Sequence, residues 1–140
     1  MEGYRFVLPI EVHFADLDGM GHINNAVYLT YMESARIAWW MQVTGRRTLR
    51  DVAMILARTE VDYRSPATYG DHLAVGVRCA SMRRSSFVLE FRVEERETGR
   101  LVAEARKVLV HYDFAAGRSA PLPDALRALI LEQDPEAKGG

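Results

Sequence analysis

One uninterrupted stretch, residues 25–44, limits the folds open to this chain more than any other feature. It contains neither proline nor glycine, and Gly45 follows it directly. Because a glycine just past the last turn commonly ends a helix, the stretch predicts one helix of about 30 Å. Apolar side chains occupy most of its circumference: Val27, Tyr28, Leu29, Tyr31, Met32, Ala35, Ile37, Ala38, Trp39, Trp40, Met41 and Val43. Such a helix is expected to be buried on most sides.

The segments around this helix alternate apolar and polar residues with the period of a β-strand. The predicted strands are residues 4–14, 53–64, 72–79, 87–94 and 101–112. Pro9 lies in the first of them, so that strand is expected at a sheet edge or a bulge. Residues 121–132 predict a short amphipathic helix that closes the chain.

The order of these elements favours an antiparallel sheet, since short hairpins join the last strands and crossover helices are missing. One sheet has little reason to surround a helix, so a second copy of the protein is expected to help cover it. A chain of 140 residues is close to the usual size of one domain. We therefore expect a single α+β domain, residues 1–134, followed by a flexible tail, residues 135–140.

Composition narrows the function classes. The formal charge is −1, so the basic excess typical of nucleic-acid binding is absent. No apolar run is long enough for a membrane span, and the N-terminal residues do not resemble a targeting segment. The single cysteine, Cys79, permits no internal disulfide, and its place on an apolar strand face predicts a buried residue rather than a nucleophile. These observations predict a cytoplasmic protein.

The chemistry is expected in the Asp-x-Asp loop, residues 16–24, which precedes the long helix. Its sequence is Asp-Leu-Asp-Gly-Met-Gly-His-Ile-Asn. One interpretation is calcium binding, because Asp16, Asp18 and Gly21 fall at positions one, three and six of an EF-hand loop. Met20 and Val27 then stand at positions five and twelve, where oxygen ligands are required. The sequence therefore disfavours calcium, and no other metal-ligand spacing is present.

A second interpretation is a phosphatase. Asp16-Leu17-Asp18-Gly19 is similar to the Asp-x-Asp nucleophile motif of the haloacid dehalogenase superfamily, whose members use Mg²⁺. That resemblance implies a doubly wound parallel sheet, whereas this chain continues into hairpins. The predicted topology therefore disfavours this class.

A third interpretation rests on a longer pattern: Asp16-x-Asp18-x-x-Gly21-His22-x-Asn24-Asn25-x-x-Tyr28, then Tyr31-Met32-Glu33-Ser34-Ala35-Arg36. It closely resembles the 4-hydroxybenzoyl-CoA thioesterase-like branch of the hotdog-fold acyl-CoA thioesterases. Later segments also resemble this family, in the same order: Arg64-Ser65-Pro66, Tyr69-Gly70-Asp71 and Arg83-Arg84-Ser85-Ser86-Phe87. The resemblance implies a curved antiparallel sheet of about five strands wrapped around one long central helix. It also implies a homodimer or a dimer-of-dimers tetramer.

In this family the second Asp of the pair is catalytic, which implies that role for Asp18. Thioester hydrolysis needs a carboxylate as nucleophile or general base, and an aspartate is ionised at neutral pH. It also needs donors for the developing oxyanion, which the amides and dipole of a helix N-terminus supply. Neither a metal nor a cofactor is required. A non-catalytic acyl-thioester binding protein on the same fold is the main alternative, and it would have no need of Asp18.

Other polar residues receive weaker assignments. Asp16 is expected to accept hydrogen bonds from nearby amides. His22 is interpreted either as a substrate contact or as a packing residue, and Asn24 and Asn25 as helix caps that also border substrate. Arg83 and Arg84, at a predicted hairpin tip, are either solvated charges or contacts to the phosphates of an acyl-CoA substrate.

Overall fold

The computed structural model of the chain describes residues 1–45 and 53–138. Its strands are β1 (Phe6–Ile10), β2 (Met54–Tyr63), β3 (Leu73–Met82), β4 (Ser86–Glu95), β5 (Leu101–Asp113) and β6 (Arg118–Ser119). Its helices are α1 (Asn25–Thr44) and α2 (Asp124–Gln133), with one 3₁₀ turn at Phe14–Asp16. Neither α-helix of the described residues is long and apolar enough to cross a membrane.

The strands form one antiparallel sheet in the order β1-β3-β4-β5-β2, and β6 pairs with β5. The predicted α+β fold is confirmed, with the two-residue β6 added to the five expected strands. β1 lies at one edge, where Pro9 removes no hydrogen bond that a neighbour needs. β2 forms the opposite edge of the sheet.

The inner face of the sheet supports α1. In β4, Phe87, Leu89, Phe91 and Val93 are buried, and the alternate residues are half-buried on the outer face. The helix lies over β1 and β3 and also contacts α2. The helix therefore covers the β1-β3 half of the sheet more closely than the β5-β2 half.

The predicted bounds of α1 are confirmed, and its caps explain them. The Asn24 side chain accepts a hydrogen bond from the Ala26 amide at 2.9 Å, while Gly45 ends the helix with a φ of 69°. The expectation of burial on most sides is not met within one chain. The buried residues form a single stripe: Tyr28, Tyr31, Met32, Ala35, Trp39, Trp40 and Val43. Leu29, off this stripe, is 39% exposed, because one sheet covers only one side of a helix.

Two predicted elements are shorter than expected. β1 ends at Ile10 rather than residue 14, because the chain enters the 3₁₀ turn that begins the Asp-x-Asp loop. α2 begins at Asp124 rather than Pro121. Pro121 and Pro123 disfavour helical backbone before them, and the intervening Leu122 amide donates to the Arg84 carbonyl at 2.8 Å.

The C-terminal segment is packed further than the expected tail allows. The Asp134 carboxylate accepts hydrogen bonds from the Trp39 indole at 3.2 Å and from the Cys79 amide at 3.0 Å. Ala137, within the expected tail, is fully buried in the core. Cys79 is buried as predicted, and burial raises the pKa of its thiol to about 12. The packed domain thus extends at least to Ala137, while Gly139 and Gly140 lie outside the described residues.

Candidate active site

The Asp-x-Asp loop folds back on itself before α1 begins. The Asp18 amide donates to the His22 carbonyl at 2.7 Å, and the Gly21 amide donates to the Asp18 carbonyl at 3.1 Å. Gly21 adopts a φ of 80°, a left-handed conformation that a side chain would strain. The loop is therefore held by its own backbone, which leaves the Asp18 side chain on its surface.

The two carboxylates of the loop have different surroundings. Asp18 is exposed, and its Oδ1 accepts hydrogen bonds from the amides of Met20 at 2.8 Å and His22 at 3.2 Å. Asp16 is half-buried, and its Oδ2 accepts from the His13 amide at 2.9 Å and the Tyr31 hydroxyl at 2.7 Å. The expected hydrogen-bonding role of Asp16 is confirmed. Asp18 keeps its second carboxylate oxygen without a partner among the described residues.

A second segment, residues 63–68, clamps the loop and the start of α1 from the side of the sheet. The Ile23 amide donates to the Ala67 carbonyl at 2.8 Å, and the Thr68 hydroxyl donates to the Gly21 carbonyl at 2.7 Å. The Tyr63 hydroxyl, at the end of β2, donates to the Asn25 carbonyl at 3.0 Å. These contacts fix the loop relative to the helix N-terminus.

A cavity of about 260 Å³ lies between these elements. Its lining residues are Asp18, His22, Ile23, Asn25, Tyr28, Tyr63, Arg64, Ser65 and Pro66. The lining therefore includes an aspartate and a histidine from the loop together with two tyrosines. This combination of apolar surface with a few convergent polar groups is typical of small-molecule sites.

The N-terminus of α1 lies at this cavity and carries an unused amide donor. Asn24 occupies the N-cap, the Ala26 amide is bonded to its side chain, and the Val27 amide donates to its carbonyl at 2.9 Å. Asn25 is therefore the first helical residue rather than the cap. Its amide has no acceptor among the described residues, as expected for one of the orphan donors of a helix start. The positive end of the helix dipole adds to the attraction for an anion.

The structure brings Asp18, His22 and Asn25 to one cavity, with Asn24 directly beside it. Arg83 and Arg84 are not brought there. They form the exposed turn between β3 and β4, next to Ser86, which pairs with Val110 of β5. Tyr63 pairs with Ala103 of the same strand, seven residues away. That spacing corresponds to roughly 23 Å, so these arginines lie far from the Asp18 cavity of their own chain.

Sequence reasoning did not assign Tyr63, Arg64, Ser65 and Pro66 to the site. Their signal was present, since Arg64-Ser65-Pro66 belongs to the family-like pattern and follows directly on a predicted strand. What the pattern did not show is that this strand end meets the loop. The Arg64 guanidinium donates to Glu104 at 2.7 Å, so its charge is already partly neutralised at the cavity rim.

The alternative interpretations of the loop can now be assessed. No group of three or more His, Cys, Asp or Glu side chains within residues 1–45 and 53–138 is arranged to hold a metal ion. The sheet is antiparallel, whereas the phosphatase interpretation implied a parallel, doubly wound one. A carboxylate beside an open helix N-terminus on such a sheet defines the class of hotdog-fold thioesterases.

Comparison with known proteins agrees with this class. Residues 12–130 match the thioesterase-like superfamily, and the chain belongs to that family. A thioesterase from Thermus thermophilus, solved with coenzyme A and Zn, is 40% identical, with a TM-score of 0.87 over 96% of this chain and 98% of that chain. The long-chain acyl-CoA thioesterase FadM of Escherichia coli K12 is 27% identical over 84% of this chain and 91% of its own length. The 1,4-dihydroxy-2-naphthoyl-CoA hydrolase of a Synechocystis species is 24% identical over 92% and 96%, respectively.

Proposed function

We propose that this protein hydrolyses acyl-CoA thioesters in the cavity beside Asp18. The observation that carries the proposal is that Asp18 and Asn25 line one cavity, and that the Asn25 amide has no acceptor among the described residues. A carboxylate supplies the nucleophile or base, and the amide with the helix dipole supplies the oxyanion donor. The names of the similar proteins support an acyl-CoA as the thioester.

In the proposed reaction Asp18 either attacks the thioester carbonyl or removes a proton from an attacking water. The carbonyl oxygen gains negative charge, which the Asn25 amide stabilises. The carbon–sulfur bond then breaks, and the CoA sulfur leaves with the bonding electrons and takes up a proton. When water attacks, the free acid forms directly; when Asp18 attacks, an acyl-Asp18 anhydride forms, and a water molecule then cleaves it to the free acid and restores the Asp18 carboxylate. One water is consumed on either route. No step requires a metal or a cofactor.

The remaining site residues are assigned binding roles. The His22 imidazole, on the cavity wall, contacts the substrate near the thioester, and Asn24 holds the helix start that presents Asn25. Arg83 and Arg84 are too far away to touch the acyl group. Their proposed role is limited to the phosphates of CoA, reached at the far end of the extended CoA part of the substrate or from a partner subunit.

We further propose that two copies associate along β2 to form a homodimer, and that such dimers can pair into a tetramer. β2 is an edge strand of ten residues, and it exposes 43% of Leu56 and 46% of Tyr63. Exposed apolar residues on a long edge strand favour pairing with another strand. Tyr63 also lines the cavity, so the dimer would bring a second subunit close to each active site. The cytoplasm is the proposed location, because the single cysteine needs no oxidising environment.

The proposal is tested by incubating the purified protein with a panel of acyl-CoAs that differ in length and polarity, and measuring free thiol release. We expect turnover of at least one member that persists after exhaustive chelation. Tight binding of acyl-CoA without thiol release would instead favour the non-catalytic binding protein. Turnover of phosphate esters that depends on Mg²⁺ would refute the thioesterase proposal in favour of the Asp-x-Asp phosphatase.

A further inference from the structure

Lys107 is the most deeply buried charged side chain among the described residues, with 2% exposure. It lies on the inner face of β5, the face that also carries Ala103, Ala105 and Leu109. Its Nζ lies 5.0 Å from the centroid of the Phe91 ring. In the described part of the chain no oxygen accepts a hydrogen bond from this ammonium group, and no carboxylate pairs with it.

Burial of a lysine whose ammonium group has no acceptor destabilises a fold, and a cation–π contact offsets only part of that cost. An apolar side chain of similar length would pack at this position without the penalty. Burial lowers the pKa of Lys107, and this opposes its charged form. The Phe91 ring and the attraction of Glu33 favour the charge but supply no hydrogen-bond acceptor, which points to a ligand or a partner for the ammonium group.

Two further charged residues lie close to Lys107, on the α1 side. Glu33 and Arg36 form an ion pair one helical turn apart, and both charges act on Lys107. The Arg36 Nε is buried and has no hydrogen-bond partner within the described residues. Because Arg36 neutralises Glu33, the group of three side chains retains one net positive charge. Its electrostatics suit a single negatively charged oxygen group.

The position of Lys107 relative to the Asp18 cavity follows from strand register. Tyr63, in the cavity, pairs with Ala103, and Thr59 pairs with Lys107 four residues further along β5. The two points are roughly 13 Å apart along the inner face. The inward residues between them are Ala103 and Ala105, whose small side chains obstruct this face least. An acyl group held at Asp18 and extended along the inner face of β5 would therefore end near Lys107.

We propose that Lys107 is a specificity-determining residue that binds a carboxylate or similar anionic oxygen at the end of the acyl group remote from the thioester. This inference rests on the proposed thioesterase function. It adds that acyl groups with such a terminal oxygen are preferred over plain alkyl groups of equal length. Glu33 and Arg36 orient the ammonium group without contacting the thioester.

The test compares straight-chain acyl-CoAs with ω-carboxyacyl-CoAs of matched length, using kcat/KM from thiol release. The variants are Lys107→Met, which keeps the length without the charge, and Lys107→Arg, which keeps the charge. Lys138→Met is the matched control, because Lys138 is exposed and is the other lysine of the chain. A charged hydrogen bond changes an equilibrium roughly ten- to hundredfold. We therefore expect Lys107→Met to lower the ω-carboxy to alkyl ratio at least tenfold, Lys107→Arg to restore part of it, and Lys138→Met to leave it as in the parent.

The inference is overturned if the ω-carboxy to alkyl ratio of kcat/KM is the same in the parent and in a folded Lys107→Met variant. Turnover of the alkyl substrates would in that case still support the proposed thioesterase function. A parent protein that hydrolyses no thioester in either series would overturn both. Failure of Lys107→Met to fold would also contradict the inference, because a cation kept for a ligand is not needed by the free protein.

Discussion

The substitution Asp18→Asn separates the proposed chemistry from the structure of the loop. The amide oxygen of asparagine can take the place of Oδ1 and accept the same hydrogen bonds from Met20 and His22. What is lost is the negative charge and with it the nucleophile or base. Because both hydrogen bonds lie on an exposed loop, their weakening should cost no more than about 1 kcal/mol of unfolding free energy. For a domain of this size that corresponds to a fall in Tm of roughly 3 °C.

The effect on catalysis should be far larger. A positioned general base contributes about 10²- to 10⁴-fold to a rate, and loss of a nucleophile removes at least as much. We therefore expect kcat for thiol release to fall at least a hundredfold, measured with the acyl-CoA that the parent hydrolyses fastest. Thermal unfolding of the same preparations, followed by circular dichroism, checks that the variant is folded.

Asp16→Asn is the matched control, since it makes the same chemical change two residues away. Asp16 Oδ2 already accepts hydrogen bonds from His13 and Tyr31, so its role is to hold the loop against α1. We expect a smaller loss of kcat than for Asp18→Asn and a comparable or larger fall in Tm. A near-parental kcat in Asp18→Asn would refute the assignment of Asp18. Equal losses in the two folded variants would mean that the catalytic carboxylate has been placed at the wrong position.

Four further predictions address metal, assembly, phosphate binding and the pH dependence of stability. Activity should survive dialysis against a chelator, and restoration of a lost activity by Zn²⁺ or Mg²⁺ alone would contradict the metal-free mechanism. Light scattering at micromolar concentration should give the mass of a dimer or tetramer, since a stable monomer would leave the apolar edge of β2 uncovered. Arg83→Ala combined with Arg84→Ala should raise KM for acyl-CoA a few-fold at low salt and less at high salt, because exposed charge pairs contribute roughly 0 to 1 kcal/mol each. Equal KM values for the parent and the double variant at low salt would identify the two arginines as solvated turn residues. Burial raises the pKa of Asp134 above its ordinary value, so the native state binds the proton more tightly than the unfolded state does. The native state therefore loses stability as pH rises from about 4, the ordinary pKa of an aspartate, to the raised pKa. Asp134→Asn removes this titration. The unfolding free energy of the variant in urea, minus that of the parent, should therefore increase with pH across that interval. A difference that stays constant with pH would contradict the raised pKa assigned to Asp134.

Local sequence determined those features that depend on neighbouring residues. The bounds of α1 follow from a stretch without proline or glycine, an Asn cap and a Gly stop. The strand segments follow from alternation with a period of two, and the antiparallel arrangement follows from short hairpins between them. The pattern around Asp16 and Asp18 identified the loop, and the two carboxylates differ in their hydrogen-bond partners.

Tertiary structure alone decided which distant residues meet at the site. Tyr63 and Pro66 reach the cavity because β2 pairs with β5 in one particular register, and a slip of one residue would turn every side chain to the other face. Arg83 and Arg84 share a family-like pattern with the site residues, yet the length of β5 separates them from Asp18. Alternation places Lys107 on the inner face of its strand, but the absence of an acceptor among the described residues depends on how the other elements pack around it. Sequence periodicity specifies the face on which a side chain lies, whereas its partners depend on strand register and helix packing, which are set by contacts between residues far apart in the chain.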